Sequence, residues 1–268
     1  MSLLYRIFGI KSYNLQQKNK IVQLFNEMDL SKKNDYIFER ILSLINFAES
    51  NSNYYKKIFS KYDFNHKKFK SLDDLKNIPI LEKKELNSNF KNILIPNKYS
   101  NINFSGGSTS EPVRFYQDRE YWEWGELSRR WTYSICDITD SNKLLFYGSN
   151  FDNKSPESLR GKAVLFIKNQ GFINAFTSNI NELEKLIKNA SKKNFKHLYG
   201  YASSLNYFAN ICIQHNIDFK FDTVQSTGEM LTPKYRKNIE KKFGKIVFDR
   251  YGSREVSILA STSKNSYN

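Results

Sequence analysis

Two short segments of the sequence contain residue types that suit phosphate and its counter-ion. The first spans residues 105–111 and reads SGGSTSE. Its two glycines let backbone N–H groups approach an anion closely, and its four hydroxyl side chains can donate hydrogen bonds to it. A plain polar hairpin turn has a similar composition, and the GK[ST] signature of a Walker A loop is absent. The segment predicts a phosphate-binding loop, with a structural turn as the alternative.

The second segment spans residues 251–255 and reads YGSRE. Tyr251 offers an aromatic face for stacking, Gly252 allows a close approach of the backbone, and Glu255 supplies a carboxylate of the kind that holds Mg²⁺ beside phosphates. A second carboxylate, Glu229, follows Gly228 in an earlier loop. The alternative for each glutamate is an ordinary solvated side chain. Together the two segments predict a site for a phosphorylated ligand and a cation.

The cysteines and histidines have no spacing that suits catalysis or zinc. Cys136 and Cys212 lie in apolar helical patterns, which favours buried thiols over a disulfide or a nucleophile. The three histidines are His66, His197 and His215, and they are far apart along the chain with no serine or cysteine partner pattern. We therefore expect neither redox chemistry nor a catalytic triad.

Alternating strand and helix patterns in the second half of the chain predict how these segments are positioned. Compact apolar runs predict strands at residues 143–147, 163–167, 196–199, 223–226 and 246–248. Helical patterns separate the later strands, and Thr232, Pro233 and Gly244 mark the start and end of one helix. This alternation predicts parallel βαβ units, in which ligands bind in the loops beyond the carboxyl ends of the strands.

The first third of the chain has a helical texture. One apolar stripe at steps of three and four consists of Ile37, Ile41, Leu44, Ile45 and Ala48. After residue 100, β-prone runs at 101–104 and 112–117 flank the glycine-rich segment, and Asp118 can cap a following helix. We predict a helical N-terminal arm over residues 1–100 and an α/β nucleotide-binding core over residues 101–268.

Composition limits the class of protein. The chain has 268 residues, 40% of them hydrophobic and 15% aromatic, which excludes disorder as the main description. No apolar run approaches the roughly 18 residues of a membrane span, so we expect a cytoplasmic protein. The net charge of +15 (42 − 27) favours acidic ligands such as nucleotides or coenzyme A, although charge spread over solvated faces is the alternative. Nucleic acid is not favoured, because no interleaved basic and aromatic patch occurs.

Three segments, in order along the chain, resemble motifs of adenylate-forming enzymes in the variant of phenylacetate-CoA ligases and the CapK-like proteins of capsular polysaccharide biosynthesis. The phosphate loop is matched by SGGSTSEPVRFYQD. The GYPS segment is matched by LYGYASSLNYFA, with Ala202 where proline is usual. The adenine and Tyr-Gly-x-x-Glu segment is matched by VQSTGEMLTPKYRKNIEKKFGKIVFDRYGSREVSILA. The resemblance implies the parallel-sheet βαβ core of the N-terminal domain of these enzymes, preceded by a helical arm.

The resemblance also implies a site and a reaction. The residues implied to wrap the ATP phosphates are Ser105, Gly106, Gly107, Ser108 and Thr109. Gly228 and Glu229 would border the adenine, Tyr251 and Gly252 would lie against it, and Glu255 would coordinate Mg²⁺. The implied reaction joins a small carboxylic acid to AMP and releases pyrophosphate, after which a thiol, such as that of coenzyme A, or another nucleophile accepts the acyl group.

The sequence departs from the family pattern in two places. Arg254 replaces the threonine that is usual in the wider superfamily. The sequence ends at Asn268, before the small C-terminal domain that carries the catalytic lysine in the family, and no lysine is assigned that role. A truncated gene, a gene split so that a separate chain supplies the domain, and an excised fragment all agree with this pattern. The alternative function is a non-catalytic ATP-binding or scaffolding remnant in a polysaccharide gene cluster.

Overall fold

The computed structural model describes residues 15–95, 101–105, 112–148, 159–177 and 179–263. The chain divides between Trp124 and Gly125 into two compact units. The division expected from the sequence, after residue 100, stays a prediction.

The N-terminal unit is mostly helical and contains one β-hairpin. Its helices are α1 (Gln16–Glu27), α2 (Leu30–Asn51), α3 (Asn53–Lys61), α4 (Lys83–Ser88) and α5 (Phe90–Ile93), with 3-10 turns at His66–Lys68 and Leu72–Asn77. The hairpin consists of the antiparallel strands β1 (Asn101–Phe104) and β2 (Arg114–Gln117), as the sequence predicts. Helix α6 (Arg119–Cys136) follows, and its start is fixed by Asp118, whose carboxylate accepts a hydrogen bond from the Tyr121 N–H (2.8 Å).

Aromatic side chains hold the N-terminal unit together. Tyr54 of α3 is buried, and its hydroxyl donates to the Glu85 carboxylate of α4 (3.0 Å). Burial and the neighbouring Glu85 raise the pKa of Tyr54 to about 12, so the phenol stays protonated. Phe90 of α5 stacks on Tyr116 of β2, with ring centroids 5.4 Å apart, and the Arg114 guanidinium lies over Phe90. These contacts tie the hairpin to the helices of its own unit.

The C-terminal unit is built on a six-stranded sheet. In spatial order the strands are β4 (Gly171–Ile173), β3 (Lys143–Phe146), β5 (His197–Tyr201), β6 (Thr223–Thr227), β7 (Val247–Ser253) and β8 (Ser257–Ser261). Every neighbouring pair is parallel except β7 and β8, which form an antiparallel hairpin. The connecting helices are α7 (Leu159–Ile167), α8 (Ile180–Ser191), α9 (Ala202–Gln214) and α10 (Pro233–Phe243). The α/β fold with a parallel-sheet core is therefore confirmed.

The core of this unit is centred on Phe208 of α9. Its ring lies 4.7 Å from Phe146 of β3, 5.2 Å from Phe219 and 5.8 Å from Phe243 of α10, measured between centroids. Phe146 and Phe208 are both fully buried. Close aromatic packing of this kind joins one sheet face to two helices, and it gives the carboxyl ends of the strands a rigid support.

The signals for the ends of α10 are confirmed. The Thr232 hydroxyl accepts a hydrogen bond from the Tyr235 N–H (3.2 Å), and Pro233 is the first helical residue. Gly244 ends the helix with a left-handed φ of 62°, a conformation that glycine adopts without strain.

The prediction of a strand at residues 163–167 was wrong, because this run is the second half of helix α7. An apolar run of this length does not distinguish a strand from a helix. Phe166 is 87% exposed, so the run is not fully buried as a central strand would be. The actual strand, Gly171–Ile173, follows the turn at Asn169, which has a φ of 47°.

Both cysteines are free and buried, as the sequence predicts. Burial raises the pKa of Cys136 and raises that of Cys212 to about 12, so both thiols stay protonated at neutral pH. Among the described residues, no helix is long and apolar enough to span a bilayer.

Three cations converge on Asp140 at the amino end of β3. Its carboxylate lies 2.8 Å from the Arg129 guanidinium, 2.9 Å from the Lys143 ammonium and 2.7 Å from that of Lys168. Lys143 is buried and also donates to the Tyr133 hydroxyl (2.8 Å). Burial alone would raise the pKa of Asp140, but the hydrogen bonds and charges of Lys168, Lys143 and Arg129 outweigh it and lower the pKa to about 2.

Asp140→Asn should lower the free energy of unfolding by about 2 kcal/mol at pH 7, because buried Lys143 loses its counter-charge while partial exposure of the site limits the loss. The folded-state pKa lies below the ordinary value of 3.8. The stabilisation is therefore complete above about pH 4 and is lost as the pH falls towards 2. Urea unfolding from pH 7 to pH 3 should show the gap between wild type and variant shrinking.

The control is Asp218→Asn, which removes a carboxylate that is 88% exposed and that pairs, among the described residues, only with Lys242. Its effect should stay below about 0.5 kcal/mol. Equal effects of the two substitutions would contradict a structural role for Asp140.

Candidate ligand-binding site at the carboxyl edge of the sheet

The register of the parallel strands brings distant segments of the sequence into one row. Tyr201 at the end of β5 pairs with Thr227 at the end of β6, and Thr227 pairs with Arg250 in β7. Neighbouring strands in a sheet lie about 4.8 Å apart. Because Gly228 follows Thr227 and Tyr251 follows Arg250, the two predicted adenine-site segments lie on adjacent strands at the same edge.

Gly228 has a conformation and surroundings that favour glycine. Its φ is 74°, in the left-handed region, and a Cβ atom added there would lie 2.9 Å from ring atoms of Tyr201. A larger residue would meet both backbone strain and a clash with the ring. The glycine therefore lets the backbone after β6 pass closely over Tyr201.

Glu229 is attached to the start of a helix. Its carboxylate accepts a hydrogen bond from the backbone N–H of Ser203, in the first turn of α9, at 2.9 Å. A carboxylate at this position satisfies a free N–H group and interacts favourably with the helix dipole. Glu229 thus joins the loop after β6 to the first turn of α9, although its side chain remains exposed.

Strand β7 continues through the segment that was expected to be a loop. The predicted strand ended at residue 248, whereas β7 runs to Ser253 and residues 254–256 form the turn into β8. A Cβ atom on Gly252 would lie 2.2 Å from the carbonyl oxygen of Ser257, so glycine is required for the two strands to pair. In this hairpin the side chain of Tyr251 is 70% exposed, near the carboxyl ends of the parallel strands.

Glu255 lies in the turn between β7 and β8. Its side chain is exposed, and no ion pair or hydrogen bond joins its carboxylate to the described residues. It is therefore available to a cation or a ligand. Among the described residues, no group of three His, Cys, Asp or Glu side chains could by itself hold a metal ion.

Ser105 closes the base of the loop that connects β1 and β2 in the N-terminal unit. Its N–H donates to the carbonyl of Val113, and its hydroxyl accepts from the Val113 N–H, both at 2.9 Å. These bonds hold the two ends of the loop together, and the contact of Ser105 with phosphate stays a prediction. The other residues of the predicted phosphate loop lie outside the described residues, namely Gly106, Gly107, Ser108 and Thr109.

The sequence reasoning missed a cluster of tyrosines around Arg250. The ring of Tyr147, directly after β3, lies 5.9 Å from Tyr199 and 5.7 Å from Tyr201. The Arg250 guanidinium lies 4.9 Å from the Tyr199 ring centroid, donates from Nε to the Thr227 hydroxyl (3.2 Å) and donates to the Tyr199 hydroxyl. Burial raises the pKa of Tyr199, so its phenol stays neutral. The available signal was the tyrosine at the end of two of the five predicted strands, Tyr147 and Tyr199.

His197 is a structural residue at the other end of β5. The Thr139 N–H donates to its Nε2 (3.2 Å), so the ring proton resides on Nδ1, which lies 2.8 Å from the Thr223 hydroxyl. The pKa of His197 is lowered, mainly because the ring is buried. The neutral ring therefore links the segment after α6 to β5 and β6, at the edge opposite to the tyrosine cluster.

Comparison with known proteins gives relatives in sequence and in fold. The chain is similar to Protein CapK of Staphylococcus aureus, with 24% identity over 275 residues that cover 98% of this chain and 59% of that protein. It is also similar to an open conformation of 2-hydroxyisobutyryl-CoA ligase in complex with 2-HIB-AMP and CoA, with 15% identity, a TM-score of 0.69, and coverage of 89% of this chain and 58% of the ligase. The same ligase in its thioesterification state gives 16% identity, a TM-score of 0.69, and coverage of 89% and 53%. No protein-family model matches the chain.

The resemblance indicated by the motifs is confirmed by these relatives. The chain is CapK-like in sequence, and its α/β fold with a mostly parallel sheet is that of adenylate-forming ligases. It spans a little more than half the length of the relatives that it matches.

Gly228→Ala should lower the free energy of unfolding by about 2 to 4 kcal/mol, because the left-handed conformation and the approach to Tyr201 both oppose a Cβ atom. Gly244→Ala is the matched control, with a φ of 62° and no atom within 4 Å of the added Cβ. The control carries only the backbone strain, about 1 kcal/mol. Denaturant unfolding of the two variants measures the difference, and equal losses would mean that Tyr201 does not restrict the loop.

Proposed function

We propose that the carboxyl edge of the parallel sheet binds ATP with Mg²⁺ and that the chain takes part in activating a carboxylic acid as an acyl-adenylate. The observation that carries the proposal is the row formed by Tyr201, Thr227 and Arg250, which places Gly228 beside Tyr251 in a fold shared with adenylate-forming ligases. Ligands of open α/β sheets bind at this edge.

The residues at the edge fit a nucleotide and its metal ion. The exposed ring of Tyr251 offers a face on which adenine stacks, and the backbone at Gly228 passes closely over the Tyr201 ring. Glu229 orients the loop through its bond to Ser203. The unpaired carboxylate of Glu255 is an oxygen ligand of the type that Mg²⁺ prefers, and the ion would neutralise phosphate charge.

The phosphates are assigned to the hairpin loop on the basis of its residue types. The proposed contacts come from Ser105, Gly106, Gly107, Ser108 and Thr109. Ser105 would act mainly by holding the base of the loop, since its bonds to Val113 fix the hairpin there. The two glycines carry no side chain that would keep an anion away from backbone N–H groups.

In the proposed reaction a carboxylate oxygen attacks the α-phosphorus of ATP. The bond between the α-phosphorus and the bridging oxygen breaks, and pyrophosphate leaves with the electron pair, which yields the mixed anhydride of the acid and AMP. A thiol such as coenzyme A then attacks the carbonyl carbon and releases AMP. The chain would contribute by holding the reactants in line and by stabilising charge, because such groups act on the transition state.

A second candidate function is nucleotide binding without catalysis, as a scaffolding component in polysaccharide biosynthesis. The feature that favours it is Arg254, which lies in the β7–β8 turn where adenylate-forming enzymes usually have threonine. In the first candidate function, a separate chain could supply the lysine that acts in the reaction. Groups that act in the transition state contribute far more to turnover than to ATP binding, so the two candidates differ in turnover rather than in binding.

ATP–pyrophosphate exchange with a panel of carboxylic acids tests the activity. We expect at least one acid to raise exchange clearly above the rate without acid. Thermal unfolding with Mg·ATP tests binding in the same preparations, since a ligand that binds only the folded state raises the melting temperature. Stabilisation without exchange supports the second candidate, and the absence of both contradicts nucleotide binding.

Glu255→Ala should weaken Mg·ATP binding by about 10- to 100-fold, because the ion loses a protein ligand. The matched control is Glu27→Ala in α1, which removes an exposed carboxylate that has no partner among the described residues. The control should leave the Mg·ATP-dependent shift in melting temperature unchanged. If Glu255→Ala also leaves it unchanged, Glu255 is not the metal ligand.

A further inference from the structure

The outward side of α10 carries three lysines. Ile239 and Phe243 are buried in the core of the C-terminal unit and define the inward side of this helix. Lys234, Lys237 and Lys241 recur at steps of three and four on the opposite side, and all three are exposed. None of them has an ion pair with a described residue. This side of α10 therefore presents uncompensated positive charge.

Helix α8 adds lysines on the same face of the sheet. Leu183 and Ile187 are its buried residues, and they belong to the same core as Ile239 of α10. Lys185 lies on the outward side of α8, and Lys192 directly follows the helix. Both are exposed and have no ion pair with a described residue. The two helices thus contribute five unpaired lysines.

Helix α9 lies between these two helices and joins them into one surface. Directly after α9, Nδ1 of His215 lies 3.0 Å from the Glu184 carboxylate of α8. On its other side, the Asn238 side chain of α10 donates to that of Asn206 in α9 (2.9 Å). Helix α9 has no charged residue, and Ile213 on its outward side is 49% exposed. The outward sides of α8, α9 and α10, together with Lys192, form a surface that we call the lysine face.

Acidic side chains offset little of the charge on the lysine face. Glu182 is exposed near the start of α8 and has no ion pair with a described residue. Glu184 is held by Lys188 and His215, and it is therefore not available to the other lysines. Five unpaired lysines against one unpaired glutamate leave an excess of four positive charges.

The opposite face of the sheet is charged differently. Helix α6 packs there next to Phe248 of β7, whereas the adjacent Val247 belongs to the core under the lysine face. Arg129 and Arg130 of α6 both pair with Glu126. Cations on that side are therefore neutralised within the protein, and those of the lysine face are left for an external anion.

The chemistry of the lysine face suits a broad anionic surface more than a single phosphate or a nucleic acid. Each ammonium is a compact point charge, whereas arginine has the planar fork that holds one phosphate with two hydrogen bonds. No arginine lies on the outward sides of these three helices. Long lysine stems let the charges reach lipid headgroups while Ile213 contacts the apolar boundary beneath them. A second copy of the chain would present the same unpaired lysines, which repel each other.

We propose that the lysine face docks on an anionic lipid surface, so that the protein associates with the periphery of a membrane. Each lysine near such a surface adds to the attraction. The helices of this layer cover one face of the sheet, whereas the proposed nucleotide site lies at the carboxyl ends of the strands. Docking therefore leaves that edge open, and the inference does not depend on the proposed function.

The test is sedimentation of the full chain with two kinds of vesicle. One kind is phosphatidylcholine alone, and the other contains phosphatidylcholine and phosphatidylglycerol in equal amounts. We expect the chain to bind the anionic vesicles at least about tenfold more tightly than the neutral ones. Binding to the anionic vesicles should weaken as the salt concentration rises, because salt screens the lysines. Equal binding to both kinds, or binding to neither, overturns the proposal.

A triple substitution and a control assign the binding to the lysine face. Lys234→Gln, Lys237→Gln and Lys241→Gln together should weaken binding to the anionic vesicles about 100-fold, because each lysine contributes roughly fivefold. The control replaces with glutamine three exposed lysines of the N-terminal unit that have no ion pair with a described residue, namely Lys56, Lys57 and Lys67. It changes the net charge equally and should weaken binding less than about fivefold. Equal losses in the two variants would overturn the proposal, because net charge alone would then explain the binding.

A second variant tests whether the surface extends over two helices. Lys185→Gln with Lys192→Gln should weaken binding to the anionic vesicles about 20-fold, and unchanged binding would contradict a surface that includes α8. Thermal unfolding of each variant should match that of the wild type, because the substituted side chains are exposed.

Titration with a single-stranded RNA oligonucleotide separates a lipid surface from a nucleic acid as the partner. We expect the RNA to bind more weakly than the anionic vesicles at the same salt concentration. If the RNA binds and the α10 variant loses that binding, while the vesicles do not bind, the lysine face serves a nucleic acid and the proposal is wrong.

Discussion

The hydrogen-bonded register of β5, β6 and β7 is the constraint on which the candidate site depends. It aligns Tyr201, Thr227 and Arg250 across three parallel strands, and the segments that follow begin from the same edge. A shift of one residue in either pairing would move the side chains of that strand to the opposite face. The buried aromatic core under the sheet, centred on Phe208, makes such a shift costly because Leu198, Val224 and Val247 of these strands are packed into it.

The two ends of the sheet differ in how their charges are compensated. At the amino end, Asp140 is shared by three cations, and His197 is held neutral between two threonines. At the carboxyl end, Arg250 and Glu255 have no ionic partner among the described residues. Charges that are paired within the protein stabilise the fold, whereas unpaired charges at a sheet edge are free to interact with a ligand. The contrast supports a functional carboxyl end and a structural amino end.

The sequence predicted the parts of this fold that local chemistry determines. Thr232, Pro233 and Gly244 fix both ends of α10 through bonds and dihedral angles that involve only neighbouring residues. The run at 163–167 was misassigned, because its apolar character agrees with either a helix or a strand until the packing partners are known. Arg250 and the Ser203 contact of Glu229 were missed for a related reason. Their roles depend on strands and helices that lie more than 20 residues away in sequence and meet only in the fold.

Hydrogen–deuterium exchange of the full chain, with and without Mg·ATP, tests the central claim most directly, because it reports where a bound ligand slows exchange of backbone amides. We expect slower exchange in residues 199–203, 227–229 and 250–255, at the carboxyl end of the sheet, with no change around Asp140. Protection confined to the amino end, or no protection anywhere at saturating Mg·ATP, would contradict the claim that this edge is a nucleotide site.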